Sequence, residues 1–147
     1  MKILSMMFTG CSNSETNSTS RGLTDFAHIE EEYLATIDSL NWPDGITLPD
    51  KLEDEDTGAS FQVGYGETRA SYLWEYSWMK EWLDTYNTDP ERAEKALEEL
   101  EKAFDMPYMG IDRCDDATRN YLRENIDKAK LGDPSGFTES IRANYAN

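Results

Sequence analysis

From Thr24 onward, apolar residues recur at spacings of three and four. Phe26, Ile29, Tyr33, Ile37 and Leu40 fall on one face of a helix. That helix must stop before Trp42-Pro43, because the residue ahead of a proline is driven out of helical geometry. Trp42-Pro43-Asp44-Gly45 places proline and glycine where a type I turn favours them, and residues 46–66 keep no sustained period. So long an irregular connection in a small domain is often functional or mobile, which makes it one of two places to look for a site.

The second helix is predicted over about residues 68–86, and its apolar positions form two stripes. Tyr72, Tyr76, Met79, Leu83 and Tyr86 make the first; Trp74, Trp78 and Trp82, four residues apart, make the second. At 100° per residue they cover roughly 200° of the helix, so it should sit centrally and pack on more than one side. Glu75 and Ser71 project within that arc, where a carboxylate needs a partner or a raised pKa.

Asp89-Pro90-Glu91 gives a third helix its cap, a proline at the first helical position and an acid near the positive end of the dipole. Ala93, Ala96, Leu97, Leu100, Ala103 and Phe104 face inward, while Glu91 with Lys95 and Glu98 with Lys102 are spaced for ion pairs outside. Met106-Pro107 ends it. An acidic cap at Asp115 or Asp116 opens a fourth helix carrying Tyr121, Leu122, Ile126 and Ala129 and closing at Gly132. Asp133-Pro134 starts a last helix with Phe137, Ile141 and Tyr145. The expected fold is all-α: a small bundle of about five helices, no clear strand, and a long irregular loop between the first two helices.

The 147 residues make one small domain whose 4 Trp, 8 Tyr and 5 Phe supply a core without metal or disulfide staples. With 30 acidic side chains against 14 basic ones, the net charge is -16, which argues against a nucleic-acid partner. A single histidine excludes any site needing two imidazoles. Met1 to Glu91 holds 5 bases and 18 acids and the rest 9 and 12, so a side built from the first half would attract cations.

At the N-terminus the order changes. Met1-Lys2, the apolar run Ile3-Leu4-Ser5-Met6-Met7-Phe8 and the small residues before Cys11 are the parts of an export signal, and a Ser/Thr/Asn-rich segment follows. Phe8-Thr9-Gly10-Cys11 resembles the lipobox of bacterial lipoprotein precursors, whose cysteine becomes the lipidated first residue of the mature protein. That resemblance implies location: a signal segment over 1-10, a tether over 11-23, and a single helical domain over 24-147. Cys11 would anchor the domain at the extracytoplasmic face of the bacterial cytoplasmic membrane, two acyl chains contributing about 0.8 kcal/mol per buried methylene. Cys114, then the one free thiol, reads as a small buried residue. Trp74-x-x-x-Trp78-x-x-Glu81-Trp82-Leu83, with Ala129-Lys130-Leu131-Gly132-Asp133-Pro134-Ser135, is also similar to small uncharacterised exported helical proteins of actinobacteria. It implies an exported helical domain and no activity.

Asp50, Glu53, Asp54, Glu55 and Asp56 form the densest charge cluster, but counting from Asp54 a calcium loop fails at Ala59 and Tyr65. A solvated acidic loop is expected, with weak divalent binding at Asp50, Asp54 and Asp56 as the alternative. Gly64-Tyr65-Gly66-Glu67-Thr68 lacks the Lys-Ser/Thr ending of a phosphate loop, and its glycines are expected to allow a tight start to the tryptophan helix. His28 with Asp25 is one carboxylate-histidine pair where a di-iron bundle needs two. Trp74, Trp78, Trp82, Tyr72 and Tyr76 beside Glu75 could cage a cationic ligand or stack on a sugar ring, if at least two of the three indoles line an open cleft; otherwise the stripe is core.

No catalytic constellation or cofactor motif emerges. The expected function is a lipid-anchored binding or interaction module of the cell envelope, with an envelope protein or a cationic or sugar-like ligand as partner. Alternatives are a cytosolic acidic adaptor or inhibitor that binds a basic surface through the acids from Asp50 to Asp56, and a small cell-wall hydrolase.

Overall fold

The computed structural model describes residues 22–145. The lipobox-like Phe8-Thr9-Gly10-Cys11, with Cys11 as lipid site, and the segment from Ser12 to Ser20 lie outside the described residues. Within them the fold is a mostly all-α bundle of five helices: α1 (Phe26–Ser39), α2 (Tyr65–Thr85), α3 (Pro90–Glu101), α4 (Asp116–Lys130) and α5 (Ser135–Asn144). Two 3-10 turns, Lys102–Asp105 and Pro107–Met109, follow α3. None of the described helices is long and apolar enough to cross a membrane.

Capping follows the sequence at Asp89 and at Asp115, one of the two candidates for α4, and Asp25 adds a cap for α1. Asp25, Asp89 and Asp115 accept from the backbone N–H groups of His28, Arg92 and Thr118, so each closes one of the donors left open at a helix start. At the end of α4, Gly132 takes a left-handed φ of 81°, and its N–H and that of Asp133 donate to the Ala129 and Lys128 carbonyls. This is the Schellman arrangement, which a glycine allows without steric cost.

The start of α2 is different. It lies at Tyr65, three residues before the predicted boundary, because its cap comes from α1: the Glu32 carboxylate accepts from the N–H of Gly64 at 2.8 Å and of Gly66 at 3.0 Å. An anion at the positive end of the dipole is favourable, and here it is a side chain of the protein itself. Gly66 also lets the helices touch, since a Cβ there would stand 1.8 Å from the Ile29 carbonyl oxygen.

Helix α2 is the axis of the bundle, packed by α1 on one side and by α3 and α5 on others. Trp74, Trp78, Trp82 and Met79 join Leu100, Tyr108, Ile126 and Phe137 in the main core, while Ile29, Tyr33, Ile37, Leu52 and Ala70 form a second cluster under α1. Trp42 packs against both clusters. The buried hydroxyls of Ser71, Ser77 and Thr85 donate to carbonyls one turn back, which lets a polar-punctuated helix occupy the centre.

Two expectations change. Leu23–Thr24 pairs antiparallel with Phe61–Gln62, so a small two-stranded sheet ties the loop end to the chain before α1, where no clear strand is expected from the sequence. On α3, Lys95 and Lys102 both turn to Glu99, at 3.5 and 2.6 Å, instead of pairing with Glu91 and Glu98. Glu99 is buried, so its carboxylate gains most from a cation. Among the described residues no group of three His, Cys, Asp or Glu converges to hold a metal, at Asp50, Asp54 and Asp56 or elsewhere.

Candidate functional site

A cleft of about 800 Å³ opens between α2, α4 and α5. Arg69, Tyr72 and Glu75 project into it from α2, Ala117, Thr118, Tyr121 and Leu122 from α4, and Ser140, Ala143, Asn144 and Tyr145 from the end of the chain, with Met109 closing one side. Its size lies within the usual range for small-molecule sites, and the combination of an apolar wall with a few converging polar groups is their usual composition.

Glu75 lies at the bottom, 6% exposed. The Tyr108 hydroxyl donates to its Oε1 at 2.7 Å. Burial pushes the carboxyl up to about 7, and hydrogen bonds from Tyr108 and Tyr145 hold it from rising further. Its environment therefore meets both expectations for a carboxylate inside that apolar arc: a partner and a raised pKa. The same burial, together with the nearby Glu75 charge, raises Tyr72, Tyr108 and Tyr145, so all three phenols are neutral donors.

Ring packing fixes these hydroxyls. Tyr72 meets Tyr108 edge-on at 5.2 Å, and Tyr76 packs against Tyr145 at 5.1 Å. The loop that carries Tyr108 and Met109 is held by two arginines. Arg119 donates to the Met109, Gly110 and Cys114 carbonyls, and Arg113 donates to the Gly64 carbonyl, to Glu67 and to Thr68 at the start of α2. Cys114 is half-buried and its thiol is pushed up by burial, the opposite of what an activated nucleophile needs.

Of the six residues proposed from sequence to bind a ligand, the structure brings Tyr72 and Glu75 to the cleft, packs Tyr76 against Tyr145, and leaves Trp74, Trp78 and Trp82 in the core. The condition that two of these three indoles line an open cleft is not met. Of these three, Trp78 borders a smaller depression of about 460 Å³ that Trp42 also lines, where the Trp78 Nε1 donates to the Asn41 carbonyl and Arg92 grips Glu81 through two bonds of 2.9 Å. Tyr108, Tyr121 and Tyr145 carry no signal of a site in the sequence. Tyr121 and Tyr145 stood out only as apolar positions, and Tyr108 lies 33 residues beyond Glu75, so no local pattern joins them.

The other motifs are occupied by the fold itself. Glu32 fills the phosphate-loop-like start of α2, and His28 Nε2 lies 3.2 Å from Glu32 rather than beside a second carboxylate-histidine helix. In the acidic loop, Glu55 is taken by Tyr65 and Arg69, and Asp56 accepts from the Gly58 N–H to make a turn. No protein-family model, curated protein or solved structure matches the chain significantly.

Proposed function

We propose that this protein is a binding module of the bacterial cell envelope, anchored through a lipid on Cys11, that takes a small organic ligand in the cleft between α2, α4 and α5. The cleft is the observation that carries the binding half of this reading. It combines an apolar, tyrosine-rich wall with one buried carboxyl at its floor, and such a wall gives affinity while the polar group fixes orientation. The order of apolar run, Gly10-Cys11 and polar segment supports the anchored half.

The two halves have separate tests. Expression in a bacterial host, membrane fractionation and intact mass measurement should find a membrane-bound species beginning at Cys11 with added lipid. A soluble chain beginning at Met1, in a host whose lipoprotein pathway is active, would overturn the anchor. For binding, a fragment library screened by amide NMR on the full chain should shift Thr118, Tyr121 and Ser140 together. Hits confined to other surfaces would overturn the cleft as the site.

A further inference from the structure

Glu75 is a buried carboxyl with no cation beside it. Its hydrogen-bond donors are the phenols of Tyr108 and Tyr145, and among the described residues none of the ion pairs reaches it. Arg69, the one basic side chain in the cleft lining, is committed to Glu55. The titratable groups that face Glu75 are Tyr72 on its own helix, Tyr108 from the 3-10 turn, Cys114 from the following loop and Tyr145 from the end of α5. Burial keeps each of them uncharged. When Glu75 ionises, no cation among the described residues pairs with it, and a buried charge without a counter-charge is costly.

We infer that the cleft is built for a small organic ammonium ion, its charged head on the Glu75 carboxylate and its carbon skeleton against Tyr72, Tyr121 and Tyr145. This rests on the reading of the cleft as a ligand site and adds the ligand's charge and shape. A carboxylate offers about four acceptor positions, and the two phenols leave room for N–H donors from a ligand. Ring faces nearby add attraction for the same cation. A metal ion fits less well, because hard cations need several oxygen ligands and no acidic cluster converges anywhere among the described residues. The net charge of -16 raises the local concentration of cations at the protein surface.

The test compares two probes of nearly equal shape, phenethylammonium and phenethyl alcohol. The full-length protein is titrated with each near neutral pH and at moderate salt, with binding followed by amide NMR at Thr118, Tyr121 and Ser140, and the comparison is repeated with Glu75→Gln. The ammonium ion is expected to bind at least about tenfold more tightly than the alcohol, and Glu75→Gln is expected to remove most of that difference. Equal binding of both probes in the cleft would overturn the ammonium inference and leave the ligand site standing. No shift in the cleft with either probe would overturn both. A preference for the ammonium ion that survives in folded Glu75→Gln would also overturn the inference, because the cation would then be held by the acidic surface. The wild-type comparison stands by itself if that variant fails to fold.

Discussion

The Tyr108 hydroxyl donates to the Glu75 carboxyl at 2.7 Å in a site nearly closed to water. This pair lies at the crossing of the bundle's central helix with the 3-10 turn after α3, so the state of one carboxyl bears on the packing of both segments.

Stability should therefore fall with rising pH in a defined window. The folded state holds Glu75 at about 7 against an ordinary value of 4.5, so the folded protein binds the proton more tightly than the unfolded chain. The contribution is fully present below about 4.5 and is lost as pH climbs through about 7, approaching about 3 kcal/mol as an order of magnitude. Asp115 and Asp133 act in the opposite sense, since hydrogen bonds from backbone N–H groups lower them, but their window lies below their ordinary value of 3.8. Urea unfolding at about pH 5 and about pH 8 should show wild type losing stability while Glu75→Gln stays nearly level. An equal loss in both proteins would assign the effect to another group.

How much of this was readable in the chain depends on the reach of each interaction. The helix caps at Asp89 and Asp115, the proline at position 90 and the break at Gly132 act within a few residues, and they appear where the sequence places them. The early start of α2 was not readable, because the carboxylate that caps it belongs to Glu32, more than thirty residues upstream. The site divided in the same way. Glu75 was conspicuous as an acid inside an apolar arc, yet its phenol partners come from two other segments. The three indoles were conspicuous by spacing alone, and a four-residue spacing on a central helix marks core as readily as a ligand wall.

Gly66 should be the least replaceable glycine. Gly66→Ala would place its Cβ 1.8 Å from the Ile29 carbonyl oxygen, and backbone cannot yield as a side chain does. A loss of at least about 2 kcal/mol is expected from forcing α1 and α2 apart. Gly132→Ala is the control: it meets nothing within 4 Å, and the expected loss of about 1 kcal/mol comes from its φ of 81° alone. Thermal unfolding of both variants decides; a larger loss at Gly132 would contradict the close crossing.

Glu32→Gln tests the cap that α1 supplies to α2. The amide oxygen can still accept one N–H, but the second is left open and the charge at the helix dipole disappears. The expected cost is about 1 to 2 kcal/mol, shrinking as salt is added, because the lost part is largely electrostatic. Amide hydrogen exchange at Gly64 and Gly66 should speed up more than exchange at Trp78. A uniform increase along α2 would mean that the carboxylate supports the whole helix rather than its first turn.

Phe137→Ala probes the core behind the cleft. Phe137 is fully buried, with its ring edge-on to Trp82 at 5.4 Å, and α5 lies against α4 so closely that a Cβ on Gly136 would stand 2.6 Å from Asn125 Oδ1. Truncation should cost about 3 to 5 kcal/mol and loosen the α5 wall of the cleft. Ligand affinity should then fall together with stability, read by fragment binding and urea unfolding on one sample. Unchanged affinity in the destabilised protein would place the ligand away from α5.

Tyr108→Phe separates the two charge states of Glu75. Where the carboxyl is neutral, near pH 5, the variant loses one hydrogen bond between neutral groups, worth about 0.5 to 1.5 kcal/mol. Near pH 8 the acceptor is charged in the wild-type protein, the bond is worth about 1.5 to 3 kcal/mol, and its loss leaves a buried carboxylate with fewer donors. The penalty should therefore grow with pH, and the Glu75 carboxyl, followed by carbon NMR of its side chain, should titrate higher than in wild type, because the Tyr108 bond pulls it down. A pH-independent penalty with an unmoved titration would show that Tyr108 serves only as core, and that the phenol of Tyr145 alone holds the carboxyl.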